Sequence, residues 1–458
     1  VWLLVLSCFY YLCSGYKTII FIITTTIVTY FAGVFLNKEN ERIKNIPAQA
    51  DRSEKKKIKE DVKRRKKLIV ALLLVIIFGI LAVIKYHTFA IENINAVIGV
   101  FTGKYDTIPT FKLLLPLGIS FYTFQSAGYI IDVYRDKYEC CNNIFKFALF
   151  VSFFPQIMQG PIGRYDRLSP QFNEPHYFSL ENTEYGLQLM LWGFFKKIVI
   201  ADRIGVVADK VFLHPYDYNG IFVIVGVLAY CLQLYADFSG GMDVVSGAAE
   251  LYGIRLDKNF RQPFFSKSIS EFWRRWHITL GTWMKDYVFY PFSLSKKMMK
   301  FSKFMKKHLG TFAGKTLPIC LADLLIFFLV GVWHGAAWKF IVYGMYNGII
   351  IAASSLLEPV YEKMFKVTHI NKNAKWYRVF QIIRTFILVN IGWYFDMADS
   401  VSQALCMIRW SIQGFSLSQF NSSLLDLGIE ARDYIIIIAG CIIAVSYTHL
   451  RAHETAAN

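Results

Sequence analysis

The sequence predicts an all-α fold: a polytopic transmembrane helix bundle of about 10–11 membrane segments, with interfacial and re-entrant helices among them. Three observations predict it. Of the 458 residues, 55% are hydrophobic and 17% aromatic, and the mean hydropathy is +0.37, above the level of a soluble globular domain. The apolar residues gather in runs near the roughly 20 residues that a helix needs to cross a hydrocarbon core. Finally, the formal net charge of +17 sits in short segments between those runs. That is the distribution of basic loops on the inner side of a membrane, not of a nucleic-acid surface. Nucleic acid is therefore excluded as a partner, and membrane lipid is the first partner expected.

Taken in order, the expected crossings are Val1–Tyr11 (incomplete), Lys17–Leu36, Leu68–Tyr86, Phe111–Ile131, Ile144–Met158, Tyr185–Val211, Ile221–Phe238, Thr316–Trp333, Phe340–Leu357, Phe380–Phe395 and Tyr434–Val445. Ile144–Met158 is short and contains Pro155, which suits a re-entrant segment. Tyr185–Val211 carries Lys196, Lys197, Asp202 and Arg203, so a tilted, interfacial or interrupted helix is expected. Tyr434–Val445 is too short to span and runs into the polar "SYTHLRAHETAAN". Residues 1–445 are expected to be a single integral-membrane domain cut at both ends, and 446–458 a polar tail foreign to it. His449 and His453, four apart in that tail, are given no weight as ligands.

Segment 37–67, with "EKKKIKEDVKRRKK", and segment 296–315, with "KKMMKFSKFMKKHLGTFAGK", are dense in cations, and both are expected on the cytosolic side. Contact with anionic lipid is the alternative use of such runs. The eight cysteines show no CxxC pair and no metal-ligand spacing, so neither a disulfide scaffold nor a metal site is expected. "GTFAGKT" (Gly310–Thr316) has one residue too few between its glycines for a phosphate-binding loop. No GxSxG or HExxH occurs either. Gln156, Gln159, Arg164, Gln233, Asp237, Ser239 and Asp243 border apolar runs, where structural hydrogen bonds outweigh a passage-lining role.

The densest chemistry lies in "SKSISEFWRRWHITLGTWMKDYVFYPF", Ser266 to Phe292. Ser268 and Glu271 have capping-box spacing, so a helix is expected to start near Ile269. On that helix Trp273, Trp276, Leu280, Trp283 and Tyr287 recur at three and four residues as an aromatic stripe, with Arg274, Arg275 and Lys285 largely elsewhere. Such a helix suits the membrane interface. His277 stands at the edge of the stripe.

A second histidine, His334, lies in "GVWHGAAWKF" between two apolar runs. The run Thr316–Trp333 rises roughly 27 Å as a helix, which carries His334 deep into the bilayer or past its middle. Gly331, Gly335, Ala336 and Ala337 allow helices to approach closely there. An ionisable group at such depth is costly and marks function by default, and imidazole suits proton abstraction from a hydroxyl. A neutral histidine bonded between helices is the alternative. Asp323 and Asn347 are candidate partners.

"FWRRWHITLGTWMKDYVFYPF" followed by "GVWHGAAWKFIVYGMYNG", with "GISFYTFQSAGYIIDVYR", "FFPQIMQGPIGRYDRL" and "YADFSGGMDVVSGAAELYGIRLDKNFRQPF" ahead of them, resembles the membrane-bound O-acyltransferase family in its bacterial alginate O-acetyltransferase-like branch. The likeness covers roughly residues 70 to 400. It implies a helix bundle around a central tunnel and transfer of an acyl group from a thioester donor such as acetyl-CoA to a hydroxyl. In this branch it implies acetylation of an exported polysaccharide, with an extracytoplasmic SGNH-type acetyltransferase partner, in the bacterial cytoplasmic membrane. His334 and His277 match the family's two histidines and are the expected catalytic residues. Trp273, Arg274, Arg275, Trp276, Lys285, Asp286, Tyr287, Trp333 and Asn347 are the expected substrate-binding residues, with no bound cofactor and no metal. Alternatives are D-alanyl transfer from a carrier protein to teichoic acid, a polytopic transporter, and a scaffold for a polysaccharide synthase.

Overall fold

A computed structural model describes the backbone of residues 1–47, 51–111, 113–419 and 421–457, and their side chains except at 422 and 445–457. His449 and His453 thus have side chains outside the described residues. Helices and turns account for the described residues, with no strand among them, as the apolar periodicity requires. The chain divides into two compact units, Val1–Asn182 with Ala249–Asp257, and Thr183–Ala248 with Lys258–Asn458.

The first unit contains α1 (Trp2–Gly15), α2 (Ile19–Lys44), α3 (Arg52–Thr102), α4 (Ile119–Tyr134), α5 (Ile144–Ser152), α6 (Phe154–Ile157) and α7 (Tyr165–Asn173). Asp51 starts α3 by accepting the Ser53 amide, and the αL residue Gly103 ends it. The basic residues of segment 37–67 are therefore helical for the most part, on the end of α2 and the first turns of α3. Asp61 pairs with Arg42 at 3.2 Å and Arg65 at 3.0 Å, and Lys66 with Asp136 at 3.0 Å. The expected crossing from Phe111 becomes helical only at Ile119. Pro116 lacks an N–H, and Gly118 takes φ 66° just before the helix. The Ile144–Met158 segment is two short helices broken at Phe153.

The second unit contains α8 (Leu180–Phe194, whose first turn lies before the boundary), α9 (Asp202–Leu213), α10 (Ile221–Glu250, whose last two residues belong to the first unit), α11 (Ile269–Arg275), α12 (Ile278–Met284), α13 (Tyr290–Ser293), α14 (Lys296–His334), α15 (Trp338–Leu356), α16 (Glu358–Thr368), α17 (Lys375–Met397), α18 (Val401–Gln413) and α19 (Ala431–Ala457). A π-helical segment, Phe195–Ala201, joins α8 to α9, the interruption anticipated from the charges there. Those charges are paired: Lys196 with Asp243 at 2.8 Å, and Lys197 with Asp202 at 2.7 Å and Asp237 at 2.8 Å. Segment 296–315 is not a loop. It forms the first part of α14, which kinks at Gly310 (φ 87°). Ser302 donates to the Gly314 carbonyl at 2.6 Å, so the lysine-rich arm folds back on the apolar part that follows.

Among the described residues, five helical stretches are long and apolar enough to cross a membrane: Trp2–Lys44, Arg52–Thr102, Ile221–Glu250, Lys296–His334 and Trp338–Leu356. The other expected crossings are shorter or interrupted helices, except that α17 covers the expected Phe380–Phe395 run and α19 contains the expected Tyr434–Val445 run. In the second unit α15 packs against α14 and α17, and α11 rests on both α15 and α17. This arrangement places the ends of α11, α14 and α17 around one buried aromatic core that includes Phe272, Trp276, Tyr343 and Trp393.

Candidate functional site

His334 is the last residue of α14, and the chain turns through Gly335–Ala337 into α15. The two helices touch through glycine. A Cβ on Gly344 would strike the Phe327 carbonyl oxygen, and one on Gly331 would lie 2.5 Å from that of Phe340. Only glycine allows this approach, which clamps the hairpin just before the histidine. The imidazole is walled by aromatic rings, with Trp333 at 5.2 Å, Tyr343 edge-on at 5.5 Å and Phe340 stacked at 6.3 Å. Its side chain is 25% exposed, and its Nδ1 lies 3.9 Å from Oδ1 of Asp396, which is 9% exposed.

Asp396 is held in turn. The Tyr230 hydroxyl donates to its Oδ2 at 2.7 Å, and the Lys339 ammonium donates to the carbonyls of residues 396 and 398 at 3.1 and 2.7 Å. Sequence reasoning missed Asp396 and Tyr230. The signal available was that Asp396 follows the apolar run ending at Phe395, much as His334 ends its own run. The partners expected for His334 fall elsewhere. Asn347 accepts from the Trp273 indole N–H at 3.1 Å. Asp323 lies on the same helix as His334, about 16 Å along its axis.

The helix expected to run from Ile269 through Tyr287 is not continuous. It starts where expected, with Ser268 Oγ accepting the Glu271 amide at 3.1 Å. It stops at Arg275: Trp276 is extended and His277 takes φ 47°, ψ 54° before α12 begins. The cause is a segment that competes for the helix's backbone groups. The Arg261 amide bonds the Arg275 carbonyl, and the Ile278 amide bonds the Asn259 carbonyl, both at 3.0 Å. After α12 a π-helical turn, Lys285–Phe289, breaks the register again. The aromatic residues therefore do not form one headgroup-level stripe. Trp276, Leu280, Trp283 and Tyr287 are buried, and Trp276 packs on Phe272 and Trp393.

The break turns His277 inward, where it is 4% exposed. Its ring lies 5.7 Å from that of Trp333, which in turn contacts His334. Nδ1 is 3.4 Å from Asn259 Oδ1, which also receives the Thr279 amide and hydroxyl at 2.9 and 2.8 Å. Nε2 is buried with no hydrogen-bond partner among the described residues. His277 lies outside the five apolar spans. Burial, with a smaller contribution from His334, pushes its pKa down to about 3. The ring is thus neutral near pH 7, with an open ring nitrogen.

Other expected site residues divide. Trp273, Trp333 and Asn347 join the two histidines and Tyr343 in one cluster. Arg275 pairs with Glu271 at 2.7 Å, Arg274 is exposed and donates to Ser270 at 2.8 Å, and Lys285 is exposed over the Tyr290 ring. Among the described residues no group of three or more His, Cys, Asp or Glu could hold a metal ion.

Residues 141–392, more than half the chain, match the model of MBOAT, the membrane-bound O-acyltransferase family. The chain belongs to the membrane-bound O-acyltransferase family. Both histidines and their aromatic walls lie within the matched residues; Trp393 and Asp396 follow it directly. The chain is 35% identical over 346 residues to a probable alginate O-acetylase of Azotobacter vinelandii, covering 75% of this chain and 63% of that one. It is 30% identical to the peptidoglycan O-acetyltransferase of Helicobacter pylori, over 78% of this chain and 67% of the other. A teichoic acid D-alanyltransferase of Bacillus subtilis is 29% identical over 62% of this chain and 69% of its own. The chain spans 60% to 67% of the length of the alginate O-acetylase relatives.

Proposed function

We propose that the protein transfers an acetyl group from a cytosolic thioester, acetyl-CoA, to a hydroxyl of an exported cell-surface polysaccharide, in the bacterial cytoplasmic membrane. The observation that carries this reading is the pair of histidines, His277 and His334, brought to either side of Trp333 in a buried aromatic cluster. Family membership and the alginate and peptidoglycan acetylating relatives support the substrate class.

In the proposed reaction His334 accepts the proton of the acceptor hydroxyl as its oxygen attacks the thioester carbonyl. The C–O bond forms, the C–S bond breaks, and the leaving thiolate takes the proton from the imidazolium, so ester and thiol are the products. His277, neutral with an open Nε2, accepts a hydrogen bond from the acceptor or from the proton in transit. Trp273, Trp276, Tyr287, Trp333, Asn347 and Asp286 shape the surroundings, while Arg274, Arg275 and Lys285 attract the donor's phosphates at the entrance. From Gly310 the apolar part of α14 rises about 36 Å to His334, more than the roughly 30 Å hydrocarbon core. If the lysine arm is cytosolic, His334 lies toward the outer face, which suits an exported acceptor. Positioning two substrates from opposite faces then provides much of the rate. An SGNH-type acetyltransferase outside the membrane is the proposed partner.

The test uses purified protein in lipid nanodiscs with radiolabelled acetyl-CoA and, in separate reactions, alginate, peptidoglycan and teichoic acid as acceptors. Ester formation on alginate or peptidoglycan is expected, with His334→Gln reducing it by about 10²–10⁴-fold at an unchanged thermal midpoint. Transfer at the wild-type rate by His334→Gln overturns the role given to that residue. Transfer only of D-alanine, from a charged carrier protein to teichoic acid, overturns the donor and acceptor.

A further inference from the structure

The carboxylate of Asp396 is nearly buried, with one neutral donor, the Tyr230 hydroxyl at 2.7 Å on Oδ2, among its hydrogen bonds. A buried carboxylate is costly unless more donors reach it. Its Oδ1 faces Nδ1 of His334 at 3.9 Å, slightly beyond hydrogen-bond length. Such contacts in substrate-free sites often tighten only when substrate is bound. The backbone on which Asp396 stands is fixed by the Lys339 ammonium, which bonds the carbonyls of residues 396 and 398. The imidazole has little freedom to turn away, because Trp333, Phe340 and Tyr343 flank it.

We propose that Asp396 is a positioning residue for His334: its carboxylate holds the imidazole with the Nδ1 proton toward it, leaving the Nε2 lone pair for the acceptor hydroxyl. Tyr230 acts one step further out by aiming the carboxylate, and Lys339 by holding the turn after α17. This deepens the function proposed above and rests on it for its effect on rate. The contact itself, between α17 and the end of α14, stands independently of that reading. A merely structural Asp396 would instead act by tying α17 to α10 through Tyr230.

The experiment compares Asp396→Asn, Tyr230→Phe and His334→Gln in nanodiscs, with radiolabelled acetyl-CoA and alginate as probes. Nitrogen-15 spectra of histidine-labelled protein report the tautomer, and the His334 signal is identified by its loss in His334→Gln. For Asp396→Asn, kcat is expected to fall about 100-fold or more, as when a histidine loses the carboxylate that sets its tautomer. The KM for acetyl-CoA stays within about twofold, and the His334 signal moves toward the Nε2–H form. Tyr230→Phe keeps the ring and is expected to cost about 3- to 10-fold in kcat with a partial move of the same signal, so it carries the test if Asp396→Asn does not fold. An unmoved His334 signal in both variants overturns the proposal, as does an unchanged kcat. If His334→Gln transfers acetyl groups normally while Asp396→Asn still shifts the tautomer, the catalytic reading fails and the contact survives.

Discussion

A histidine at φ 47° sits in backbone space that costs an L-residue about 1–2 kcal/mol, so something must hold His277 there. Asn259 does. One side-chain oxygen takes the amide and hydroxyl of Thr279 and lies against Nδ1 of His277, while its backbone carbonyl takes the Ile278 amide. Asn259, His277 and Thr279 are buried, so removing that oxygen strands donors away from water. Asn259→Ala is therefore expected to destabilise the protein by roughly 3 kcal/mol, the cost of leaving two or three buried donors unsatisfied. The thermal midpoint in detergent reports this as a fall of several degrees. Acetyl transfer should fall with it, because the ring loses its anchor. An unchanged midpoint would show that the φ of His277 is maintained by other contacts.

At the scale of elements, α14 and α15 form a hairpin whose contact is backbone against backbone. A methyl group on Gly344 runs into the Phe327 carbonyl oxygen and lies 3.0 Å from the Gly331 Cα, and neither can swing aside as a side-chain tip can. Gly344→Ala is expected to push the hairpin apart, lowering the thermal midpoint and displacing His334. Gly79→Ala on α3, where nothing lies within 4 Å of the added methyl, should be tolerated and serves as the control. Equal midpoints for the two variants would sink the close-packing argument. The same hairpin shows what a sequence can disclose. Hydropathy, glycine spacing and the capping serine are local signals, and they located the helix start at Ile269 and the junction at His334. The break at His277 depends on Asn259 and Arg261 competing for backbone groups some fourteen to twenty residues away in the chain, and the Tyr230–Asp396 bond joins residues 166 apart. No local periodicity encodes either contact, so the second half of the site became legible only in three dimensions.

Charge governs the molecule as a whole. The helix α3 has 51 residues, about 76 Å at full rise, far more than a bilayer core. Its lysine-rich start must lie outside the hydrocarbon if Leu68 onward is within it. The arm Lys296–Leu309 of α14 is similarly cationic and leads into its own apolar stretch at the Gly310 kink. Basic flanks are retained on the cytosolic side, so each segment independently predicts the same compartment. Lys57 and Lys303 are exposed positions within them. Lys57→Cys and Lys303→Cys, each placed in a background without the native cysteines, should react with a membrane-impermeant maleimide in inverted vesicles and stay unlabelled in intact cells. Labelling of Lys303→Cys in intact cells would reverse the direction of α14 and put His334 toward the cytosol. The acceptor would then have to reach the histidine before export, so this one measurement decides on which side of the membrane the proposed ester is made.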